Sequence, residues 1–513
     1  MTDPTSLPGQ DESYWMATSG ATSYPALEGD LDVDVAVVGG GIAGLSAAWE
    51  LVRAGRTVAL LEADRIAAGV TGYTTAKVSA LHTLAYDRLS KSRGRDAARQ
   101  YAASQQAAVE GVAEIAAELG VRCDLERVSA YTYATDPKSV EALRAEARAA
   151  SDAGLPAVFV QDTELPFDVS GAVRVDHQAQ FHPRAYLLAL AEDLRARGGT
   201  ILERTRVTGL SEGSPCEVTT ESGHTVTARD VVVATHYPIF DRALLFTRLS
   251  ARRELVVAAP ISAELAPTGM YITEEDGKRS VRSAPLDEGR RLLIVTGESF
   301  TPGTGDAREG FARLDAWMHE RFAVEETAYR WAAQDNDSTD HVPFVGPLHV
   351  GSKHTYVATG FGGWGMSSGV MSGRLLADLI TGGESPWAGL YDPRRLASTL
   401  KEAPALVRQQ VDVAKHFVGD RLRPTHVGSV EEIPPADGAI VRVKGRRCAV
   451  YRDPEGTVRA VSARCTHLGC LVAFNAAETT WECPCHGSRF GVDGTVLQGP
   501  AVHPLEAVDL PQD

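Results

Sequence analysis

The feature that most constrains the fold is a glycine motif between two apolar strands near the N-terminus. The segment "DVDVAVVGGGIAGLSAAWELVRAGRTVALLEAD" reads as strand, tight turn, helix and strand. Gly39, Gly41 and Gly44 form G-x-G-x-x-G, and Glu62 ends the second strand about 20 residues further on. The glycines permit the turn, the approach of a pyrophosphate to the helix N-terminus and close helix–strand packing, while Glu62 can accept both ribose hydroxyls. The unit predicts a dinucleotide-binding α/β domain.

A second cluster of chemically distinctive residues lies near the C-terminus. "CTHLGC" and "CPCHGSRF" contain the pairs Cys465-x-His467 and Cys483-x-x-His486, separated by fifteen residues. This is the ligand set of a Rieske [2Fe-2S] cluster, in which two thiolates bind one iron and two imidazoles bind the other. Zinc also accepts two cysteines and two histidines, and a metal-free disulfide module is a further alternative. The short Cys-x-His spacing and the glycine-containing loop at each ligand pair favour an iron–sulfur cluster over these alternatives.

The C-terminal region, about residues 428–513, resembles Rieske proteins of the quinol-oxidising complexes. Its two extra cysteines, Cys470 and Cys485, match positions that form a disulfide in those proteins, and "GPAVHPL" resembles their third, proline-containing loop. Ser488 matches a hydroxyl that bonds a cluster sulfur. Phe490 stands where a tyrosine commonly donates another such bond. The missing donor predicts a reduction potential below that of the quinol-oxidising type, because the reduced cluster is the more negative one.

The N-terminal region resembles the D-amino-acid oxidase/glycine oxidase superfamily of FAD enzymes over about Ser13 to Asp392. Besides the glycine motif, the resemblance rests on "TGYTTAKVSALH", on "QFHPRAYLLALAEDLRARGGTILERTRVTGL" with "VVVATHYP", and on "QDNDSTDHVPFVGPL" with "ATGFGGWGMSSGVMSGRLLADLI". In that family the first and third segments enclose the isoalloxazine, and the strand around Val207, within the second segment, contacts the adenine. The resemblance therefore implies FAD, with the additional contacts Thr74, Thr75, Val207, Gly362, Gly363, Gly365 and Met366.

Candidate catalytic residues follow from the same resemblance. Lys77 lies in the first flavin segment, where its charge could favour negative charge on the ring or simply be solvated. Relatives that oxidise amino acids hold the substrate carboxylate with an arginine from the inserted sheet. Arg253 and Arg282 lie in strand-like runs of that region and are the candidates.

The order of these segments predicts an α/β FAD-binding domain of Rossmann type with an inserted antiparallel substrate sheet, followed by a small all-β Rieske domain. We expect an irregular arm over residues 1–30, the FAD domain over 31–392, its substrate-facing sheet mainly over 241–325, a helical linker over 393–427 and the Rieske domain over 428–513. Within the FAD domain, alanine-rich amphipathic spacing predicts mainly helix from about Thr83 to Ala153.

Composition excludes several classes of partner. Acidic residues outnumber basic ones by 67 to 51, and the resulting net charge of −16 disfavours nucleic acid or an anionic membrane as partner. No signal peptide, membrane anchor or membrane-spanning run is visible, so we expect a cytoplasmic location.

Three functions are compatible with this architecture. The first is a dehydrogenase in which FAD takes hydride from a small amine or amino acid and the Rieske cluster passes electrons singly to an external acceptor, possibly a protein. The second is an amine oxidase that uses O₂, with a structural or regulatory Rieske domain. The third is an electron-transfer module that feeds a partner oxygenase. The first gives a physical reason for joining a two-electron to a one-electron centre.

Overall fold

The structure is a computed structural model, and it describes residues 7–240, 242–395 and 429–510. Of the helical linker predicted over 393–427, only the first three residues fall within these ranges. The helices are α1 (Tyr14–Ala17), α2 (Ile42–Arg53), α3 (Ala85–Arg93), α4 (Arg95–Glu118), α5 (Val140–Asp152), α6 (Pro183–Ala196), α7 (Ala307–Arg321), α8 (Gly365–Thr381) and α9 (Ala388–Tyr391).

A mostly parallel sheet carries the glycine motif. Its strands are β2 (Leu31–Val38), β3 (Val58–Leu61), β8 (Thr200–Leu202), β9 (Val207–Ser211), β10 (Cys216–Thr220), β11 (Thr225–Val233), β17 (Phe344–Pro347) and β18 (Thr355–Thr359). The core order is β17-β18-β11-β2-β3-β8. The run from Val35 to Val38 is buried on both faces, as expected for a central parallel strand. Because Gly369 and Gly373 of α8 lack side chains, α8 can pack closely on α2.

A larger, largely antiparallel sheet forms the second layer. Its strands are β1 (Gln10–Asp11), β4 (Lys77–Val78), β5 (Glu126–Ala134), β6 (Ala157–Val160), β7 (Gly171–Gln180), β12 (Leu249–Ser262), β13 (Met270–Ile272), β14 (Arg279–Asp287), β15 (Arg290–Phe300) and β16 (Tyr329–Ser338). The main order is β1-β16-β12-β15-β14-β13-β5-β7-β4. The predicted inserted sheet is therefore present, and strands from outside residues 241–325 extend it at both ends.

The C-terminal domain consists of two small antiparallel sheets. One contains β19 (Asp437–Val443), β20 (Arg446–Arg452) and β21 (Val458–Ser462); the other contains β22 (Ala473–Asn475), β23 (Thr480–Glu482), β24 (Arg489–Phe490) and β25 (Val496–Gln498). Cys465, Cys483, Trp481 and Phe490 share one hydrophobic core. This agrees with the predicted small all-β domain.

Two local expectations differ from the structure. The N-terminal arm is not irregular throughout, because β1 pairs with β16 and α1 buries Tyr14 and Trp15. The stretch predicted to be mainly helical contains β5, whose "ERVSAYTYA" is rich in aromatic and β-branched residues. That strand occupies a central place in the large sheet, so tertiary pairing decides its conformation.

Among the described residues, none of the helices combines the length and the apolar character that crossing a membrane requires.

Candidate functional site

The glycine turn has the geometry that a dinucleotide needs. Gly39 has a φ of +108°, a conformation that favours glycine. A Cβ atom on Gly44 would lie 1.9 Å from the carbonyl oxygen of Gly39, so only glycine lets α2 begin this close to β2. Glu62 accepts hydrogen bonds from the N–H groups of Gly40 (2.7 Å) and Asp64 (3.0 Å). Burial raises the pKa of this carboxyl.

These residues fit the adenosine diphosphate half of FAD. The N-cap of α2, Gly41, supplies no capping side chain, which leaves the amide end of the helix facing the turn. A Cβ on Gly41 would reach to 3.2 Å from Oγ1 of Thr71, so the glycine keeps this cradle open. Val207 begins β9 next to the same region, since the N–H of Thr205 donates to the carbonyl oxygen of Glu62 (2.8 Å).

A cavity lies between the predicted flavin segments and the large sheet. Thr75 and Lys77 line it on one side, and Gly362 and Gly363 line it on another. The φ values of these two glycines are +59° and +87°. Gly365 opens α8 directly after them, and Met366 is buried in its first turn. Residues of the sheet that line the cavity include Arg252, Glu254, Ser280 and Thr296, and Lys278 lines it from the turn before β14.

The segment that carries Thr74, Thr75 and Lys77 is held rigidly by neighbours. The indole N–H of Trp15 donates to the carbonyl oxygen of Thr74 (2.6 Å). The Arg282 guanidinium donates to the carbonyl oxygens of Thr75 (3.0 Å) and Ala76 (2.8 Å). Arg282 is thus a buried residue that positions the segment, and it does not line the cavity.

Lys77 faces the cavity from a half-buried position. Its ammonium donates to the hydroxyl oxygens of Thr75 (3.0 Å) and Ser280, and burial lowers its pKa to about 7, with Arg282 adding to the effect. These contacts favour a place beside the cavity over the solvated alternative for this lysine. In its charged form, the half-buried amine can stabilise negative charge in the cavity.

Replacing Lys77 by methionine is expected to stabilise the protein more near pH 6 than near pH 10. Lysine in an unfolded chain titrates near ~10.4, whereas the folded pKa is about 7. Between these values the unfolded chain binds more protons, so the wild type gains stability as the pH rises, and below them it carries the full cost of a buried ammonium. Thermal unfolding at the two pH values measures the difference. Lys91→Met, at an exposed surface lysine, is the control, and an equal shift at both pH values would contradict the assignment.

Arg253 lies outside the cavity, while its neighbour Arg252 lines it. Successive residues of β12 point to opposite faces of the sheet, so a one-residue difference moves an arginine from one face to the other. Arg253 instead pairs with Glu478 and Glu482 of the C-terminal domain. Arg252 and Glu254 were not predicted as cavity residues from the sequence, although the alternation of side chains between the two faces of β12 could have indicated them.

His82 closes another wall of the cavity. Its ring stacks on Trp364 with centroids 4.3 Å apart, and its two nitrogens lie 2.6 Å from the Tyr101 hydroxyl and from the carbonyl oxygen of Ser79. Burial lowers its pKa to about 3, so the imidazole is neutral. Its part in the site is to support the Trp364 ring at the start of α8.

The two loops that carry the predicted cluster ligands have the same hydrogen-bond pattern. Cys465 N–H donates to Cys470 O, and Cys483 N–H donates to Ser488 O, both at 2.8 Å. The N–H groups of Gly469 and Gly487 close each loop onto the first cysteine, both at 3.0 Å. These glycines have φ values of +79° and +78°. Two like loops thus face each other, each presenting one thiol and one imidazole.

The ligand residues are grouped by type. Interaction with the neighbouring Cys483 lowers the pKa of the Cys465 thiol, and the rings of His467 and His486 lie 4.9 Å apart. A Rieske cluster needs this division, since its two irons take two thiolates and two imidazoles respectively. The donor set fits the cluster.

A disulfide joins the two loops. It links Cys470 to Cys485, as the resemblance implied, and Cys483 Sγ lies within 4.8 Å of both sulfurs. Ser488 donates to the Cys465 sulfur and accepts from the N–H of Ala501 (3.0 Å) in the third loop. The three loops are thereby tied around the ligand residues.

Comparisons with known proteins agree with both halves of the site. Residues 34–379 match the family "FAD dependent oxidoreductase", and residues 423–509 match "Rieske [2Fe-2S] domain". The Rieske 2Fe-2S iron-sulfur protein YhfW of Bacillus subtilis (strain 168) is 35% identical over 503 residues, covering 97% of this chain and 98% of that protein.

More distant relatives cover the N-terminal domain. Gamma-glutamylputrescine oxidoreductase of Escherichia coli (strain K12) is 26% identical over 386 residues, covering 72% of this chain and 89% of that protein. The solved structure of glycine oxidase from Geobacillus kaustophilus has a TM-score of 0.59 at 19% identity, covering 71% of this chain and 99% of that one. The chain therefore belongs to the FAD dependent oxidoreductase family and carries a C-terminal Rieske [2Fe-2S] domain.

Proposed function

We propose that this oxidoreductase is a dehydrogenase of small amines or amino acids that passes electrons through the Rieske cluster to an external acceptor. Bound FAD supplies a hydride acceptor, so the substrate loses two electrons and the C–N bond becomes a C=N bond. The cluster supplies a centre that accepts one electron at a time, so each substrate reduces the acceptor in two transfers.

The observation that carries the proposal is the charged cavity between the predicted flavin segments and the sheet. Lys77 and Lys278 present amines there, while Glu254 and Asp337 present carboxylates that are only partly neutralised by Arg252. A small substrate with an amine and an acidic group finds partners of both signs. Two relatives support the class by name, since one acts on gamma-glutamylputrescine and another on glycine.

The decisive experiment is anaerobic titration of the holoenzyme with a panel of amines and amino acids. Flavin bleaching is followed by absorbance and cluster reduction by EPR in the same samples. We expect at least one substrate to produce both signals. Bleaching without cluster reduction would refute the relay, and peroxide formed stoichiometrically under air would identify an oxidase. Reduction only by a reductase protein would identify an electron-transfer module.

Phe490 gives a test of the cluster environment that does not depend on the substrate. The side chain is buried in the core that contains Cys465 and Cys483. Phe490→Tyr is expected to raise the cluster midpoint potential by about 20–60 mV, because one neutral hydrogen bond contributes about 0.5–1.5 kcal/mol and ~59 mV corresponds to a tenfold change for one electron. Redox titration followed by EPR measures it, with Phe474→Tyr in the same domain as control. An unchanged or lower potential would contradict the argument.

A further inference from the structure

The two domains meet at a buried group of charged side chains. It consists of Arg253 from β12 of the FAD domain and Glu478, Glu482 and Arg489 from the Rieske domain, and is called here the interdomain ion cluster. The Arg253 side chain is fully buried and contacts both carboxylates, donating to Oε1 of Glu478 at 2.8 Å through Nη2. Two guanidinium groups face two carboxylates, so the group is neutral as a whole.

Neutral donors from both domains add hydrogen bonds to the carboxylates of this cluster. Asn475 of the Rieske domain donates to Glu478 and Glu482, both at 3.0 Å. The N–H of Gly303 in the FAD domain donates to Oε2 of Glu482 at 2.9 Å. Arg489 Nη2 lies 2.9 Å from Oε1 of Glu478. Removing one partner of a buried ion pair is strongly destabilising, so these contacts favour one relative position of the domains.

Close backbone packing accompanies the ion cluster at the ligand loop. The amide of Gln334 donates to the carbonyl oxygen of Gly487 at 3.0 Å. A Cβ atom on Gly487 would lie 2.5 Å from Nε2 of Gln334 and 2.7 Å from Cβ of Ala251. Gly487, the residue next to His486, has no side chain, so its backbone contacts the FAD domain directly.

His486 itself is enclosed by the FAD domain. Its ring lies 5.9 Å, between centroids, from the rings of Tyr237 and Phe246, and the residue is 3% exposed. The other histidine ligand, His467, is half-buried and precedes Leu468, whose side chain is exposed. The two imidazoles that serve one iron therefore have different surroundings.

A short series of contacts joins this enclosure to the flavin edge of the cavity. Gly362 N–H donates to the carbonyl oxygen of Asn336 at 3.1 Å, and Nδ2 of Asn336 lies 3.1 Å from Nδ1 of His236. His236 directly precedes Tyr237 in the chain. The predicted flavin-binding glycines and the enclosed cluster ligand are thus connected through packed protein.

We propose that Arg253 locks the Rieske domain onto the FAD domain in one position, and that His486 is the cluster ligand on the electron-donor side. The flavin of the same chain is then the electron donor of the cluster, and each pair of electrons taken from a substrate leaves in two single transfers to the acceptor. This inference rests on the proposed relay but concerns the interface, which can be tested separately.

The test compares Arg253→Met with Arg279→Met in the full-length holoenzyme. Arg279 pairs with Glu298 inside the FAD domain at 2.7 Å and does not reach the Rieske domain through that pair. Hydrogen exchange of segments 249–262 and 478–490 reports docking. Flavin is reduced by light with a sacrificial donor, so no substrate is needed, and cluster reduction is then timed by EPR after freezing.

In Arg253→Met we expect the hydrogen exchange of both segments to rise about 100-fold. Leaving the buried carboxylates without their cation should lower the equilibrium constant for domain docking by at least ~100-fold. Cluster reduction by the photoreduced flavin should slow at least ~10-fold, with the EPR g-values of the cluster unchanged. Arg279→Met should match the wild type in both readouts. Should Arg253→Met fail to fold, Glu478→Gln replaces it, with Glu298→Gln as control because the two side chains are 15% and 14% exposed.

Wild-type exchange and wild-type transfer in both interface variants would overturn the proposal. Rapid exchange of the two segments in the wild type itself would also overturn it, since no locked position would then exist. If the panel of amines fails to bleach the flavin while the interface variants behave as expected, the proposed substrate class falls and the interface proposal stands. If photoreduced flavin never reduces the cluster in the wild type, the relay and the donor role of the flavin both fall.

Discussion

Cys483→Ser is expected to abolish the iron–sulfur cluster while leaving the flavin in place. Cys483 is buried, lies beside Cys465, and begins the second ligand loop. Serine replaces a soft thiolate by a weakly acidic hydroxyl, which does not hold the iron that the two cysteines share. Iron and acid-labile sulfide should fall to background and the reduced-cluster EPR signal should vanish. Flavin absorbance per chain should stay at the wild-type level.

Cys448→Ser is the matched control for this change. Cys448 is equally buried in the same domain, on β20, and belongs to a separate hydrophobic core. The iron content and the EPR signal of the Cys448→Ser protein should equal those of the wild type. Retention of the cluster in Cys483→Ser, or its loss in Cys448→Ser, would show that the ligand assignment is wrong.

Gly44→Ala is expected to weaken FAD binding. The new methyl group would stand 1.9 Å from the carbonyl oxygen of Gly39, a backbone atom that cannot turn away. The start of α2 must therefore shift from β2, which displaces the amide groups that face the pyrophosphate. We expect FAD affinity to fall at least ~10-fold, with a lower melting temperature because a bound cofactor stabilises the native state.

Flavin content after gel filtration and thermal unfolding with added FAD measure the effect of Gly44→Ala. Gly29→Ala is the control, since a Cβ at that position meets nothing within 4 Å. Its FAD content and melting temperature should match the wild type. Full FAD occupancy in Gly44→Ala would contradict the assigned turn.

The parts of the molecule that could be predicted from sequence are those encoded by local spacing. The glycine turn, its acidic residue and the two cysteine–histidine loops each lie within a few tens of residues, and backbone geometry dictates the residue types. The dinucleotide site and the Rieske ligand set followed from these, whereas the family and the choice of FAD came from the resemblance. The disulfide between Cys470 and Cys485 was available only through the resemblance, because spacing alone does not determine a pairing.

The parts that could not be predicted depend on contacts between distant segments. Which arginine of β12 faces the cavity depends on the register of the sheet, and Arg252 and Arg253 are indistinguishable by composition. The strand β5 differs from its alanine-rich surroundings in its aromatic and β-branched residues, but its partners in the sheet come from distant parts of the chain. The partners of Arg253 lie more than two hundred residues further along the chain, so no local pattern could have indicated them.

The enclosure of His486 has a consequence for how the protein is made. Cys465, Cys483 and His486 are all buried, and the ligand loop of His486 is pressed against the FAD domain through Gly487. Iron and sulfide have to be delivered by assembly machinery that needs access to these side chains. We therefore expect the C-terminal domain to receive its iron before it packs against the FAD domain.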